Sequence, residues 1–273
     1  MLIAITRPPS ESIADCQLTH IGRDPIDVPR AIEQHRAYRA LLAELGAELV
    51  TLDPLDEHPD AVFIEDAVIT LDEVAILCRM GAPTRRSETT AFEPIIAAYR
   101  QTHRMTAPAT LEGGDVILAG RTLFVGRSTR TNDEGAGQLR AFTEPLGYRV
   151  IQIDVRGCLH LSTGASYLGD GVILANPDWI DADAFEGCRV IPVDPSDPWA
   201  ANTMTVNGVI VMTEPADATK SMLESRGYTV RTVDISELMK AEGSLTCMRQ
   251  LFTRHSAPIK ASAKAMSVSD TDR

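Results

Sequence analysis

The chain predicts an α/β protein in which one hairpin–helix–strand unit recurs and closes into a pseudo-symmetric ring. Three observations predict it. Runs of β-type residues come in close pairs around turn residues at four places, helical stretches lie between the pairs, and a short apolar run follows most of those stretches. One such unit cannot cover its own apolar face, so the units must stack on one another. An open sheet of mixed strands is the competing architecture. Against it, no Gly-x-Gly-x-x-Gly follows a strand and no Gly-Lys-Ser/Thr phosphate loop is present, so a nucleotide site lacks its signature.

The elements follow in order. Residues 2–6 are a short β-type run that stops at Pro8-Pro9. Residues 10–28 are polar and irregular, a length that in a compact domain is functional or disordered. Pro29 suits the first turn of a helix that reaches about Leu45 and ends at Gly46, with Ile32, Tyr38, Leu41, Leu42 and Leu45 roughly on one face. A strand is expected at 48–52. The four hairpins are 67–71 with 74–77, 116–119 with 122–125, 165–168 with 172–174, and 203–206 with 209–212. The last turns on Asn207-Gly208, the strongest hairpin signal of the set. Helices are expected over about 87–102, 132–147, 178–185 and 215–226, and strands at 149–153, 189–193 and 229–233. The two ends, 2–6 and 245–252, are expected to complete a fifth unit. Residues 1–255 then make a single domain, and 256–273, small, polar and aperiodic, read as a disordered tail.

Composition narrows the function classes. With 273 residues, 44% of them hydrophobic, the chain can bury a sizeable core. A net charge of −12 disfavours nucleic acid and anionic membrane as partners and mildly favours cations. The N-terminus has no basic stretch ahead of an apolar one, and no apolar run approaches a membrane span. The five cysteines, Cys16, Cys78, Cys158, Cys188 and Cys247, are odd in number, widely spaced and without a CxxC. With no export signal they read as reduced thiols of a cytoplasmic protein, not as a zinc ribbon or disulfide framework.

The residues that can do chemistry gather at the mouths of the hairpins. Asp60 and Glu65-Asp66 precede the first, Glu112-Gly113-Gly114-Asp115 the second, His160 the third and Ala201-Asn202 the fourth. Cys247, after Gly243-Ser244, lies in the segment that would close the ring. Units related by rotation would bring these entrances to one end of the axis. Glu65 and Asp66 are flanked by apolar residues, and a buried charge needs a partner, either an internal arginine or a cationic ligand. The paired glycines after Glu112 let backbone or ligand approach closely. Each acid could equally be a cap, His160 a packed core histidine, and Cys247 a small buried thiol. His20, His35, His58, His103 and His255 fall on loops or expected helix surfaces. Arg85-Arg86, Arg127 and Arg130 follow the first two hairpins, as surface charges or as forks for a carboxylate.

Phe63-Ile64-Glu65-Asp66, Leu111-Glu112-Gly113-Gly114-Asp115, Arg130-Thr131-Asn132, Leu159-His160-Leu161, Ala200-Ala201-Asn202 and the Cys247 segment, taken collinearly, resemble the dimethylarginine dimethylaminohydrolases. These belong to the guanidino-group-modifying (pentein) superfamily, which implies a five-bladed α/β propeller. The resemblance implies Cys247 as nucleophile, His160 as general acid and base, and Glu112 as the carboxylate supporting His160. It further implies Asp60, Glu65 and Asp66 around the guanidinium and the substrate amine, and Arg85 and Arg130 on the substrate carboxylate. Leu18 is implied as a backbone contact from a lid, and Ala241 as a second backbone contact whose side chain is usually larger. The tail and the single glycine in Glu242-Gly243-Ser244, where two are common, depart from the family pattern.

The expected reaction is hydrolysis of Nω-methylated arginine to citrulline and methylamine or dimethylamine, with no metal or organic cofactor. A Cys–His pair can bind zinc, but zinc there would occupy the nucleophile and inhibit. The expected partner is a small guanidino amino acid, with a homodimer left open. Two alternatives remain at this level: deimination of free arginine, and non-catalytic binding of a guanidino compound or zinc. Length weighs against the first, and the presence of Cys247, His160 and Glu112 together weighs against the second.

Overall fold

A computed structural model describes residues 1–254, which form five small three-stranded sheets arranged as a five-bladed α/β propeller. In chain order the first blade supplies β1 (Leu2–Thr6), α1 (Val28–Glu44) and β2 (Glu48–Thr51). The second holds β3 (Val68–Thr70), β4 (Val74–Leu77), α2 (Arg86–Ile96) and β5 (Gln101–Arg104). The third holds β6 (Val116–Ala119), β7 (Thr122–Arg127), α3 (Asp133–Thr143) and β8 (Arg149–Asp154). The fourth opens with the single turn α4 (Leu161–Gly164) and continues through β9 (Ala165–Gly169), β10 (Val172–Ala175) and β11 (Arg189–Pro192). The fifth holds β12 (Met204–Val206), β13 (Val209–Thr213), α5 (Asp217–Ser225) and β14 (Thr229–Val233). After α6 (Ser236–Met239), β15 (Gln250–Thr253) returns to pair antiparallel with β1, from Leu2↔Thr253 to Ile5↔Gln250, and this closes the ring.

Every sheet repeats one rule: the middle strand is antiparallel to the inner strand and parallel to the outer one. Middle strands are covered on both faces, so they read as unbroken apolar runs such as Val74–Leu77 and Val172–Ala175, all buried. The apolar clusters lie between adjoining blades. Ile3 and Ile5 of β1 pack with Leu77 of β4 and with Phe92 and Ile96 of α2, and Tyr38 of α1 packs with Met204 and Leu245. Each fully buried large side chain contributes about 1.5–3 kcal/mol, which a lone blade could not collect.

Local signals work as expected at α1. Asp27 caps it by accepting from Arg30 N (3.0 Å), Pro29 occupies its first turn, and Gly46 ends it at φ 90°. Three expectations need correction. The helix foreseen at 178–185 is only a short turn at Ala182–Ala184: Asp181 caps its start by accepting from Asp183 N, and Cys188 N closes back onto Phe185 O just before β11. The helix foreseen at 87–102 ends at Ile96, and the polar residues Gln101–Arg104 form a strand because the parallel edge of β4 is free to pair with them. His35, expected on a helix surface, is 1% exposed under α1. The expected tail, 256–273, lies outside the described residues. Among the described residues no helix is long and apolar enough to cross a membrane.

The inner strands β3, β6, β9, β12 and β15 line a cavity along the axis that reaches down to Glu65 and Arg249. The residues preceding those strands meet beyond that floor, at the other end of the axis.

Candidate active site

Cys247 lies in the irregular segment between α6 and β15, and backbone bonds from four directions fix it. Tyr38 Oη donates to Leu245 O (2.8 Å), Thr246 N donates to Asn202 Oδ1 (3.3 Å), and Glu65 N donates to Cys247 O (3.0 Å). Three residues on, Gln250 Nε2 donates to Ile64 O and Val68 O (3.1 and 2.9 Å). Gly243 is forced: a Cβ there would lie 2.0 Å from the Phe63 ring. The thiol is 7% exposed, and burial first, then the Glu65 and Asp66 carboxylates, push its pKa well up. At neutral pH it is therefore a thiol and not a thiolate.

His160 has the opposite bias. It stands at the start of α4, whose first amide, Leu161 N, donates to Asp115 Oδ1 (3.0 Å). Its Nε2 meets Glu112 Oε2 at 2.8 Å, and its Nδ1 lies 3.8 Å from Asp66 Oδ1. Burial disfavours the charged ring, but Asp66, Asp115 and Glu112 outweigh it and push the pKa up to about 10. Burial likewise works against an ionised Glu112, and His160, Arg85 and Arg130 overcome it, holding the carboxyl at about 2. The buried pair is an imidazolium–carboxylate. Both glycines after Glu112 are required by close approach: a Cβ on Gly113 would lie 2.0 Å from Glu65 O, and one on Gly114 would lie 2.7 Å from His160 Nδ1.

The acids and arginines form one connected network. Asp66 Oδ2 accepts from Arg85 Nη1 (2.8 Å) and Oδ1 from Gly114 N (3.1 Å). Asp60 accepts from Gln17 N (3.1 Å) and is buried. Arg85 is 4% exposed and also reaches both oxygens of Glu88 and the carbonyls of Asp60 and Phe63, so most of its N–H groups already have partners. Arg130 is less engaged, with Glu112 Oε1 at 3.4 Å and Thr19 Oγ1 at 2.9 Å. Glu65 accepts from Thr246 Oγ1 (2.8 Å) and from Arg249 Nη1 (3.3 Å).

Asp60, Asp66, Arg85, Arg130, His160, Ala241 and Cys247 all line one small, narrow cleft. Glu112 backs it through His160. Besides Glu112, two of the expected site residues do not line it. The Glu65 side chain turns to Thr246 and Arg249 on the floor, and Leu18 packs into the apolar cluster around α1 while its neighbour Gln17 faces the cleft. The sequence did not point to Gln17, Phe63, Leu159 and Glu242 as lining residues, nor to Glu88 and Thr246 behind them. Arg85 and Glu88 stand three apart, a pairing signal that was available. Gln17 and Thr246 carried none.

Asp66, Glu112 and His160 each offer an atom within 4.8 Å of the others, the reach of a metal site. Their chemistry fits poorly: His160 Nε2 and Glu112 Oε2 are bonded to each other, and both oxygens of Asp66 already accept, from Arg85 Nη1 and Gly114 N. The arrangement instead places a protonated acid and a neutral thiol in a carboxylate-rich cleft suited to a planar organic cation.

Comparison with known proteins adds relatives to this geometry. A family model described as arginine deiminase matches residues 32–185. The chain is 37% identical to an N(G),N(G)-dimethylarginine dimethylaminohydrolase of Streptomyces coelicolor, over 90% of this chain and 95% of that one. It is 34% identical to the protein of the same name from Pseudomonas aeruginosa, over 91% and 98% of the two chains. A solved structure of DDAH from Pseudomonas aeruginosa, a cysteine-to-serine mutant complexed with citrulline, superposes with a TM-score of 0.87 at 33% identity, over 91% of this chain and 98% of that one.

Proposed function

The chain belongs to the dimethylarginine dimethylaminohydrolase family, and on that premise we propose that it hydrolyses Nω-methylated arginines to citrulline and methylamine or dimethylamine. The observation that carries the reading is the convergence, in one cleft, of the Cys247 thiol with His160, whose Nε2 is bonded to the buried Glu112 carboxylate at 2.8 Å.

A guanidinium carbon is a poor electrophile because resonance spreads its charge, so its hydrolysis needs a strong nucleophile and a protonated leaving amine. In the proposed sequence the substrate cation enters between Asp66 and Cys247. Its positive charge offsets the two carboxylates that hold the thiol protonated, and the thiol releases its proton to solvent. The Cys247 thiolate forms an S–C bond to the guanidinium carbon. His160 gives its proton to the substituted nitrogen, and the C–N bond to the departing amine breaks. The covalent thiouronium is then attacked by water, whose proton the now neutral His160 takes. Collapse breaks the S–C bond and releases citrulline. Glu112 stabilises the imidazolium through both half-reactions, and Asp66 holds the cation.

At the other end of the substrate, Arg130 and the remaining N–H of Arg85 grip the carboxylate. Asp60 and the backbone of Leu18 and Ala241 take the amine. Glu65, with Arg249 and Thr246, fixes the floor on which the guanidinium rests. All of this is carried by one domain over residues 1–255.

The test offers dimethylarginine, monomethylarginine and arginine separately and measures citrulline and each amine. Citrulline with dimethylamine or methylamine supports the proposal. Rapid ammonia release from arginine, with neither methylated substrate turned over, would overturn it in favour of deimination.

A further inference from the structure

We infer that Glu242 is a positioning residue that latches the 17–20 segment over the cleft, an inference that rests on reading the cleft as the methylarginine site. Leu18 packs against the apolar cluster around α1, while the residues after it are held mainly by polar bonds. Ile13 and Cys16 anchor the chain before it in the core, but Thr19, His20 and residues 22–25 are exposed. Across that stretch two consecutive backbone amides, Thr19 N and His20 N, donate to the two oxygens of the Glu242 carboxylate at 2.7 and 2.6 Å. Successive N–H groups aimed at one carboxylate make a concave anion seat, and hydrogen bonds to an ionised acceptor are the strong kind.

The backbone at Glu242 supports a functional reason for the side chain. Its φ is 60°, in the left-handed region that is strained for a residue other than glycine. Glycine would adopt this conformation freely. A strained glutamate here is explained by what its carboxylate holds.

Two other ties of the segment use groups that the substrate needs, and a third runs from the Gln17 side chain to Thr84 Oγ1. Gln17 N donates to Asp60, and Thr19 Oγ1 accepts from Arg130 Nη2 at 2.9 Å. Substrate entering the cleft competes for both. The Glu242 tie is independent of those groups. It also joins the residue after Leu18 to the residue after Ala241, and so fixes the spacing of the two backbone contacts assigned to the substrate amine. Its loss should therefore weaken binding of the amino-acid end more than chemistry at the guanidinium end.

The experiment compares Glu242→Gly and Glu242→Gln with the parent protein. In Glu242→Gly, hydrogen exchange at the Thr19 and His20 amides, read by NMR on the unliganded protein, should accelerate at least about tenfold. KM for dimethylarginine should rise about tenfold while kcat stays within about threefold, in keeping with the strength of bonds to a charged acceptor. Tm should hold or rise, because the strain is relieved. Glu242→Gln, which keeps one accepting oxygen, should fall between. Unchanged exchange, unchanged KM, or a KM that rises only along with a fall in Tm would each overturn the latch. Since exchange is measured without substrate, a parent protein that fails to hydrolyse methylarginines would refute the functional reading and leave this outcome separately legible.

Discussion

Replacing Glu112 by glutamine removes one charge while keeping an oxygen able to accept from His160 at 2.8 Å. The structure fixes what that charge does. His160 is lifted from the ordinary imidazole value to about 10, which corresponds to about 5 kcal/mol in favour of the imidazolium, against the pull of burial. Three carboxylates share that effect, and an opposite charge in direct contact typically accounts for about one to three pH units. With Glu112 neutral, the His160 pKa should settle near about 8. Both proteins then carry a protonated His160 at pH 7 and differ little there. At about pH 9 the parent retains roughly nine-tenths of its imidazolium and Glu112→Gln roughly one-tenth, so kcat should fall about tenfold. The assay is a kcat–pH profile of citrulline formation from dimethylarginine for both proteins. Stability gives a second reading with its own sign. A histidine whose folded pKa is raised contributes stability that is complete below about pH 6.5 and is lost as the pH rises through about 10. Melting of the parent between those values should therefore steepen with pH more than melting of Glu112→Gln. Superimposable basic limbs in the two kcat profiles would refute the assignment of His160 as the acid sustained by Glu112.

Three further outcomes follow from the same structure. Cys247→Ser should lose at least about a thousandfold in turnover with Tm within about 2 °C of the parent, since hydroxyl replaces thiol in the same space; citrulline formation at the parent rate would contradict covalent catalysis. Arg85→Met strands the buried Asp66 and Glu88 carboxylates, and should lower stability by about 3–5 kcal/mol in a denaturant titration, where a loss under about 1 kcal/mol would show that the network does not depend on this cation. His35 lies buried with its Nε2 unpartnered, and burial, then Arg39, push its pKa down to about 3, so its contribution is complete above about pH 6.5 and is lost as the pH falls toward 3. His35→Leu should flatten the acid side of the Tm profile between about pH 6 and 4, and an unaltered slope would argue that the ring is not the proton acceptor.

Much of this architecture is legible before any coordinates. The turns Asp72-Glu73, Gly120-Arg121 and Asn207-Gly208 with their flanking apolar runs specify hairpins locally, and the recurrence of the unit implies a ring because each blade leaves a face uncovered. The order of Asp60, Glu65-Asp66, Glu112, His160 and Cys247 at successive hairpin entrances likewise follows from the repeat, since rotation brings equivalent positions together. Gln101–Arg104 was not legible, because a polar segment becomes a strand only when a neighbouring edge offers it hydrogen bonds.

Charge states were also beyond the sequence. Whether Cys247 is a thiol, and His160 an imidazolium, depends on burial and on which carboxylates stand within a few ångströms, and those neighbours come from blades far apart in the chain. The same holds for the contact between Glu242 and the amides of Thr19 and His20. Sequence alone determined the repeat, the ring and the residues at its mouth, because these rest on local periodicity. Only the tertiary structure decided protonation and side-chain pairing, because both are set by distance and dielectric across blades that the chain order keeps apart.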